Sequence, residues 1–224
     1  MPLPGYPIIL DLRGRLAVVV GGGAVGRRKV SGLLAAEAQV RLISRDPVPP
    51  ACWDHPIELH LRAFPPAALD GATLVFAATG IAEVDQAVLA AARERRIPAN
   101  LAAAPEAGDF TLPAILHRGD LLITAATEGQ APVLAQVIRD RLAASLGPEW
   151  AMVVEIAARL RMKKLTASAE NVYSYKVLAD LIDNGLADLL VHRKDEEIDH
   201  LLTRICGRGT TLAGLGLTLR DSMP

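Results

Sequence analysis

Five apolar residues, Leu16-Ala17-Val18-Val19-Val20, run directly into Gly21-Gly22-Gly23-Ala24-Val25-Gly26, a G-x-G-x-x-G sequence. A buried strand followed by this spacing of glycines predicts a tight turn into a helix. Gly21 allows the turn, Gly23 lets backbone approach an anion closely, and Gly26 lets helix and strand touch. Val30, Leu33 and Leu34 continue at helical intervals, and Val40, Leu42 and Ile43 read as a second strand, completing a βαβ unit. Such a unit commits its strands to a parallel sheet. It also presents the unpaired N–H groups and positive dipole end of the helix to a phosphate. A nucleotide cofactor is the first expectation.

The pattern continues. Pro47, Pro49 and Pro50 break regular structure, Ile57–Leu61 alternates as a strand, and Ala72–Gly80 is a buried-strand pattern closing on small residues. Small residues at the carboxyl end of a parallel strand leave room for a ligand, so Thr79 and Gly80 are expected beside the cofactor. Val84–Arg95 reads as a helix and Ile97–Leu101 as a strand, with Asn100 near its end. Leu121–Ala126 is strand-like, Thr127–Ala131 a turn, and Pro132–Leu146 a helix whose proline suits the first turn. Beyond Gly147-Pro148 no strand is needed: Trp150–Arg161 and Val177–Cys206 are helical, the latter divided at Gly185 and at His192–Asp195, and the tail from Gly207 is expected to be irregular.

With 24 basic against 25 acidic residues in 224, the charge balance gives no reason to expect nucleic acid or an anionic membrane as partner. The longest apolar stretch, around Leu74–Ala78, is too short to span a bilayer, and the N-terminus lacks a basic segment followed by a hydrophobic signal core. A cytoplasmic protein is expected. Cys52 and Cys206 are far apart and read as free thiols, and no H-x-x-x-H or Cys/His cluster suggests a metal cage.

Several motifs in order resemble the precorrin-2 dehydrogenases, which also form the N-terminal part of siroheme synthases. Tyr6–Arg15 is similar to the family's "PIFLDLRGR" start, and Val20–Lys29 to its "VGGGxVAxRK". Phe76–Thr79 is similar to its "AAT", Asp109–Ala114 to its "xFxxPA", and Pro132–Ala135 to its "SPVLAR". The resemblance covers residues 6–146; the remainder is alike in length and helical character. It implies a Rossmann-like parallel sheet domain over 1–113, a dimerisation segment over 114–147 and a helical C-terminal domain over 148–224. It implies NAD-dependent oxidation of precorrin-2 to sirohydrochlorin, in some members with ferrous iron insertion, in a homodimer with the segment after the nucleotide-binding domain exchanged or interlocked between subunits. Cofactor contacts carry over to Ala24 and Val25 in the turn and to Arg45 and Asp46 after the second strand.

Two departures stand out. The family's acid–base aspartate lies in an "NVVDxP" segment that reads Asn100-Leu101-Ala102-Ala103-Ala104-Pro105 here, so Ala103 takes the carboxylate's place. A methyl group transfers no proton. The family's "SSGGxSP" loop reads Ala126–Pro132, in which Thr127 keeps a hydroxyl and Glu128 adds a carboxylate. Thr127 and Glu128 are therefore the candidate catalytic residues, with Glu106 and Asp109 as further candidates for the lost acid.

A substrate rich in carboxylates calls for cations, for which Arg27, Arg28, Lys29, Arg118, Arg139 and Arg141 are available; His117 is a possible base. For the cofactor, an acid closing the second strand selects the ribose of NAD, while Ser44-Arg45 suits the extra phosphate of NADP. Asp46, one residue on, argues partly for NAD, which the family also indicates. The candidate cofactor residues are Gly21, Gly23, Ala24, Val25, Gly26, Ser44, Arg45, Asp46, Thr79, Gly80 and Asn100, with no metal ligands. The alternative from a different class is a non-catalytic nucleotide or tetrapyrrole carrier, favoured by Ala103.

Overall fold

The strands Leu16–Val20 and Leu74–Ala77 are short and wholly apolar, as parallel strands covered on both faces must be. The computed structural model describes residues 5–49, 53, 55–167 and 172–219. They fall into two compact units. The first runs up to Leu112 and includes Glu128–Gln130; the second comprises Pro113–Thr127 and the residues from Ala131 on. The stretch 114–147, apart from 128–130, thus clusters with the helices that follow it.

In the first unit β1 (Leu16–Val20), β2 (Gln39–Ser44), β3 (Glu58–Leu61), β4 (Leu74–Ala77) and β5 (Ala99–Leu101) form one parallel sheet in the order β3-β2-β1-β4-β5. Helix α1 (Ala24–Ala35) follows β1, and α2 (Ala82–Glu94) follows β4, beginning two residues before the helix expected from the sequence. Successive side chains of a strand point to opposite faces. Accordingly Ala17 and Val19 join Val30, Leu33, Leu42 and Phe76 in one core, while Val18 and Val20 join Val75, Val88, Leu89 and Ala92 in another. The strand order reverses between β1 and β4, and α1 and α2 cover opposite faces there. In open α/β sheets that reversal is where a crevice opens for a ligand.

The second unit begins with a hairpin, β6 (Ala114–Arg118) and β7 (Leu121–Ala125), turned at Gly119 with φ +55°. Helix α3 (Pro132–Ser145) packs on it. Arg118 holds the end of α3, its Nε and Nη2 donating to the carbonyls of Leu146 at 2.8 Å and Ala143 at 3.1 Å. There follow α4 (Trp150–Ala167), α5 (Tyr175–Asp183), α6 (Leu186–Val191) and α7 (Asp195–Cys206). Gly185, at φ +83°, separates α5 from α6. Three acids open α7 and Arg204 lies in its last turn, charges that complement the helix dipole.

The core of this unit is built from Ile156 and Leu160 of α4, Leu181 of α5, Leu186 and Leu190 of α6, and Ile198 and Leu202 of α7. Each contributes roughly 1.5–3 kcal/mol by burial. Among the described residues the tail has no regular structure beyond a short 3-10 turn at Ala213–Leu215, yet Leu212, Leu215, Leu217 and Leu219 are buried in the same core. Asp199 fastens it by accepting the Leu212 N–H at 2.6 Å. Among the described residues, no helix is long and apolar enough to cross a membrane. Cys206 is buried and free; Cys52 lies outside the described residues.

Candidate functional site

The β1–α1 turn is built around two close backbone approaches. A β-carbon on Gly21 would overlap the carbonyl of Ala78, and one on Gly26 would overlap the carbonyl of Gly21. Gly21 also has φ +116°, a conformation that side chains rarely adopt. Its N–H donates to the Ile43 carbonyl at 2.8 Å, tying the turn to the end of β2. A β-carbon on Gly23, by contrast, would meet nothing within 4 Å. Space therefore opens at Gly23, while the glycines on either side are locked.

Gly23 is the N-cap of α1. No side chain caps this end, and no acid lies in the first turn, so its N–H groups are available to an anion. Gly23, Ala24 and Val25 are exposed. Of the neighbouring cations, Arg27 donates through Nη1 to the Gly22 carbonyl at 3.2 Å, and the Lys29 ammonium lies 5.7 Å from the centre of the Phe76 ring. Burial, with Arg28 beside it, lowers the Lys29 pKa from its ordinary value. Lys29 therefore acts on the helix's buried side.

At the end of β2, Ser44 is buried and its hydroxyl donates to the Asp46 carbonyl at 2.8 Å, shaping the bend. A β-carbon on Gly22 would stand 2.5 Å from that hydroxyl oxygen. Arg45 and Asp46 are both exposed just beyond it. At the end of β4, Thr79 is half-buried and Gly80 is exposed at φ +72°. Asn100, at the end of β5, is buried and donates through Nδ2 to the Phe110 carbonyl at 2.9 Å, an anchor for the segment that follows. The carboxyl ends of β1, β2, β4 and β5 thus bring the predicted cofactor residues of this unit to one edge of the sheet.

A small cleft of about 140 Å³ lies at the same edge, lined by Gly80, Ala82, Asp85, Gln86, Leu101, Ala103 and Ala104. Asp85 is 3% exposed. Its Oδ1 accepts the Thr79 N–H at 3.0 Å and the Thr79 hydroxyl at 2.7 Å. The sequence reading passed over Asp85. The available signal was its register, since Asp85 shares the helical stripe of Val88, Leu89 and Ala92, and an acid on an apolar stripe is costly to bury unless bonded.

The other proposed acids are placed differently. Asp109 accepts the Ala99 N–H through Oδ2 at 2.9 Å, closing the β5 loop. Glu106 is exposed on a 3-10 turn. Glu128 is exposed at φ +50°, a left-handed conformation. Thr127, in the second unit, accepts the Ala131 N–H through its hydroxyl at 3.1 Å. Among the cations there, Arg118 is engaged at the end of α3, Arg139 pairs with Asp140 at 2.6 Å, and Arg141 and His117 are exposed. Among the described residues, no three His, Cys, Asp or Glu side chains converge as metal ligands.

The locked glycines, the uncapped helix and the exposed Arg45-Asp46 pair fit a dinucleotide: a pyrophosphate on α1, a ribose toward β2, and the remainder toward β4 and β5. Residues 8–114 match the family model described as "Putative NAD(P)-binding". A siroheme synthase of Methylobacillus flagellatus is 34% identical over 208 residues, 91% of this chain and 44% of that protein. Siroheme synthase 1 of Halorhodospira halophila is 33% identical over 207 residues, 89% and 42% respectively. The chain thus spans less than half the length of these relatives. Its fold is shared by the solved structure of "SirC, precorrin-2 dehydrogenase", with a TM-score of 0.68 and 21% identity over 90% of this chain and 98% of that one. The chain is therefore similar to siroheme synthases over about nine-tenths of its own length, and its match to an NAD(P)-binding family model takes in the β1–β4 edge of the sheet.

Proposed function

We propose that the chain is an NAD-dependent precorrin-2 dehydrogenase, oxidising precorrin-2 to sirohydrochlorin in siroheme or related tetrapyrrole synthesis. The observation that carries the proposal is the uncapped start of α1 at Gly23, open on its outer side and flanked by the ends of β2 and β4. The likeness to siroheme synthases over nearly all of this chain supports the substrate. Gly23, Ala24 and Val25 would hold the pyrophosphate on a turn that Gly21 and Gly26 lock in place, Arg45 and Asp46 would meet the adenosine ribose, and Thr79, Gly80 and Asn100 would border the nicotinamide half. When bound, the dinucleotide supplies a hydride acceptor; the chain contributes orientation and exclusion of water. NAD is the preferred cofactor, with NADP also accepted through Arg45.

In the same reading the protein is a cytoplasmic homodimer. The exposed apolar stripe of α3, with Val133, Leu134, Val137 and Ile138, supports the second copy. Iron insertion would be weak or lost, because pyrrole nitrogens must give up protons before a metal enters and position 103 offers no carboxylate. That alanine also favours a second reading, a carrier of the same fold without turnover.

Anaerobic absorbance spectroscopy with precorrin-2 and NAD or NADP separates the two. Formation of sirohydrochlorin together with reduced cofactor over many turnovers is expected. Binding of either ligand without turnover would establish the carrier instead.

A further inference from the structure

We infer that Asp85 is the acid–base residue of this site, and that the cleft it shares with Ala103 is where the substrate surrenders its proton. The inference rests on the dehydrogenase reading and deepens it.

Asp85 and Ala103 line one cleft, from the start of α2 and the end of β5 respectively. A carboxylate that reaches this cleft from α2 can serve the space that a carboxylate at position 103 would serve from β5. Asp85 is almost fully buried, which for an ionisable group requires firm partners. Thr79 supplies two, and both fall on Oδ1. Oδ2 carries no hydrogen bond to any described residue, and no buried side-chain oxygen among the described residues lacks a partner; Oδ2 therefore reaches the surface of the cleft. One oxygen fixes the rotamer and the other is left for a ligand.

The Thr79 bonds also link this oxygen to the cofactor edge. Thr79 Oγ1 accepts the Ile81 N–H at 3.1 Å while donating to Asp85, so the turn around Gly80 and the carboxylate move as one piece. A group that must stand beside a nicotinamide ring and take a proton needs this kind of fixed placement.

The step balances as follows. Dehydrogenation removes two hydrogens from the tetrapyrrole. One leaves with its electron pair, reducing the nicotinamide dinucleotide; the other leaves as a proton from the substrate to Asp85 Oδ2. The carboxylic acid so formed returns its proton to water, and the carboxylate is regenerated.

The test is Asp85→Asn in the full chain, followed by turnover with precorrin-2 and NAD, by thermal melting and by calorimetric titration with NAD alone. An amide at position 85 keeps an oxygen for the two Thr79 donors, so the melting temperature should stay within about 3 °C and NAD affinity within about twofold while kcat falls by about 10²–10⁴-fold. Adding Ala103→Asp to that variant should restore at least about tenfold of the loss. A kcat near wild type, a parallel fall in NAD affinity and kcat, or no recovery from Ala103→Asp would each overturn the assignment. Should Asp85→Asn fail to fold, Ala103→Asp alone decides. The cleft already holds its carboxylate, so a gain of less than about threefold is expected, and a gain of 10² or more would overturn the role of Asp85. If the wild-type chain gives no turnover at all, the dehydrogenase reading itself fails and this inference falls with it.

Discussion

Gly26 and Gly21 meet backbone to backbone, so closely that a β-carbon on Gly26 would overlap the Gly21 carbonyl oxygen, whereas the same atom on Gly23 between them would meet nothing. The two outer glycines therefore serve the fold and the middle one serves a ligand. Gly26→Ala should destabilise the first unit by about 1–3 kcal/mol or more, because a carbonyl fixed in the turn has little room to yield. Gly23→Ala should cost no more than about 1 kcal/mol as an N-cap change. It should weaken dinucleotide binding by about tenfold, equivalent to about 1.4 kcal/mol, by standing where the pyrophosphate must approach. Chemical denaturation and calorimetric titration of the two variants check this; a Gly23→Ala variant that binds like wild type would remove Gly23 from the site.

Much of this was legible in the sequence because the first unit follows local rules. The run from Leu16 to Gly26 announces a strand, a turn and a helix in consecutive residues, and the apolar runs of β2 and β4 are legible by the same periodicity. Asp85 escaped because its meaning depends on Thr79, a partner six residues away that is reached only once the turn at Gly80 has formed. Strand β6 escaped because only Leu116 is buried in it, leaving no alternation to read. Among the described residues, the tail beyond Gly207 has no regular structure apart from the 3-10 turn at Ala213–Leu215, in line with its glycine-rich sequence. Its part in the core was hidden because Leu212, Leu215, Leu217 and Leu219 follow neither a helical nor a strand period.

Cofactor choice should turn on Arg45. It stands exposed just past Ser44, whose hydroxyl is already spent on the Asp46 carbonyl, so Arg45 is the group free to meet a phosphate at the 2′ position. A charge-assisted bond of about 1.5–3 kcal/mol corresponds to roughly a 10–100-fold change in affinity. Arg45→Ala is therefore expected to weaken NADP binding by that factor and NAD binding by less than about threefold, as measured by titration with each. Equal losses for both would assign Arg45 to the pyrophosphate or to neither.

The stripe on α3 gives a prediction for assembly. Val133, Leu134, Val137 and Ile138 are 71, 51, 46 and 41% exposed, and Ala135 is the buried residue of this helix. A contiguous apolar stripe of this kind on a helix that otherwise packs on the β6–β7 hairpin is the surface a second copy would cover. Sedimentation velocity should show a dimer for the wild-type chain. Val137→Asp should shift it toward monomer at micromolar concentration, because a charge at an interface core is desolvated without a partner. A monomeric wild-type chain would leave the stripe to some other role.

Cys206 provides a probe of the second unit under alkaline conditions. Burial pushes its thiol up to about 11 from an ordinary value of 9.0, a shift that Lys163 opposes. The unfolded chain then gives up the proton at a lower pH than the folded chain. The thiol's contribution to stability is whole below the unfolded value and declines as pH rises from 9.0 toward about 11. Lysines and tyrosines titrate in the same range, so the informative quantity is the difference between wild type and Cys206→Ala. Alanine leaves a small cavity and should lower stability at neutral pH, yet the variant should lose less with rising pH, by up to about 3 kcal/mol over those two units. Urea unfolding at the two ends of the range measures this directly. Identical pH slopes for the two proteins would mean that the thiol titrates alike in the folded and unfolded chains.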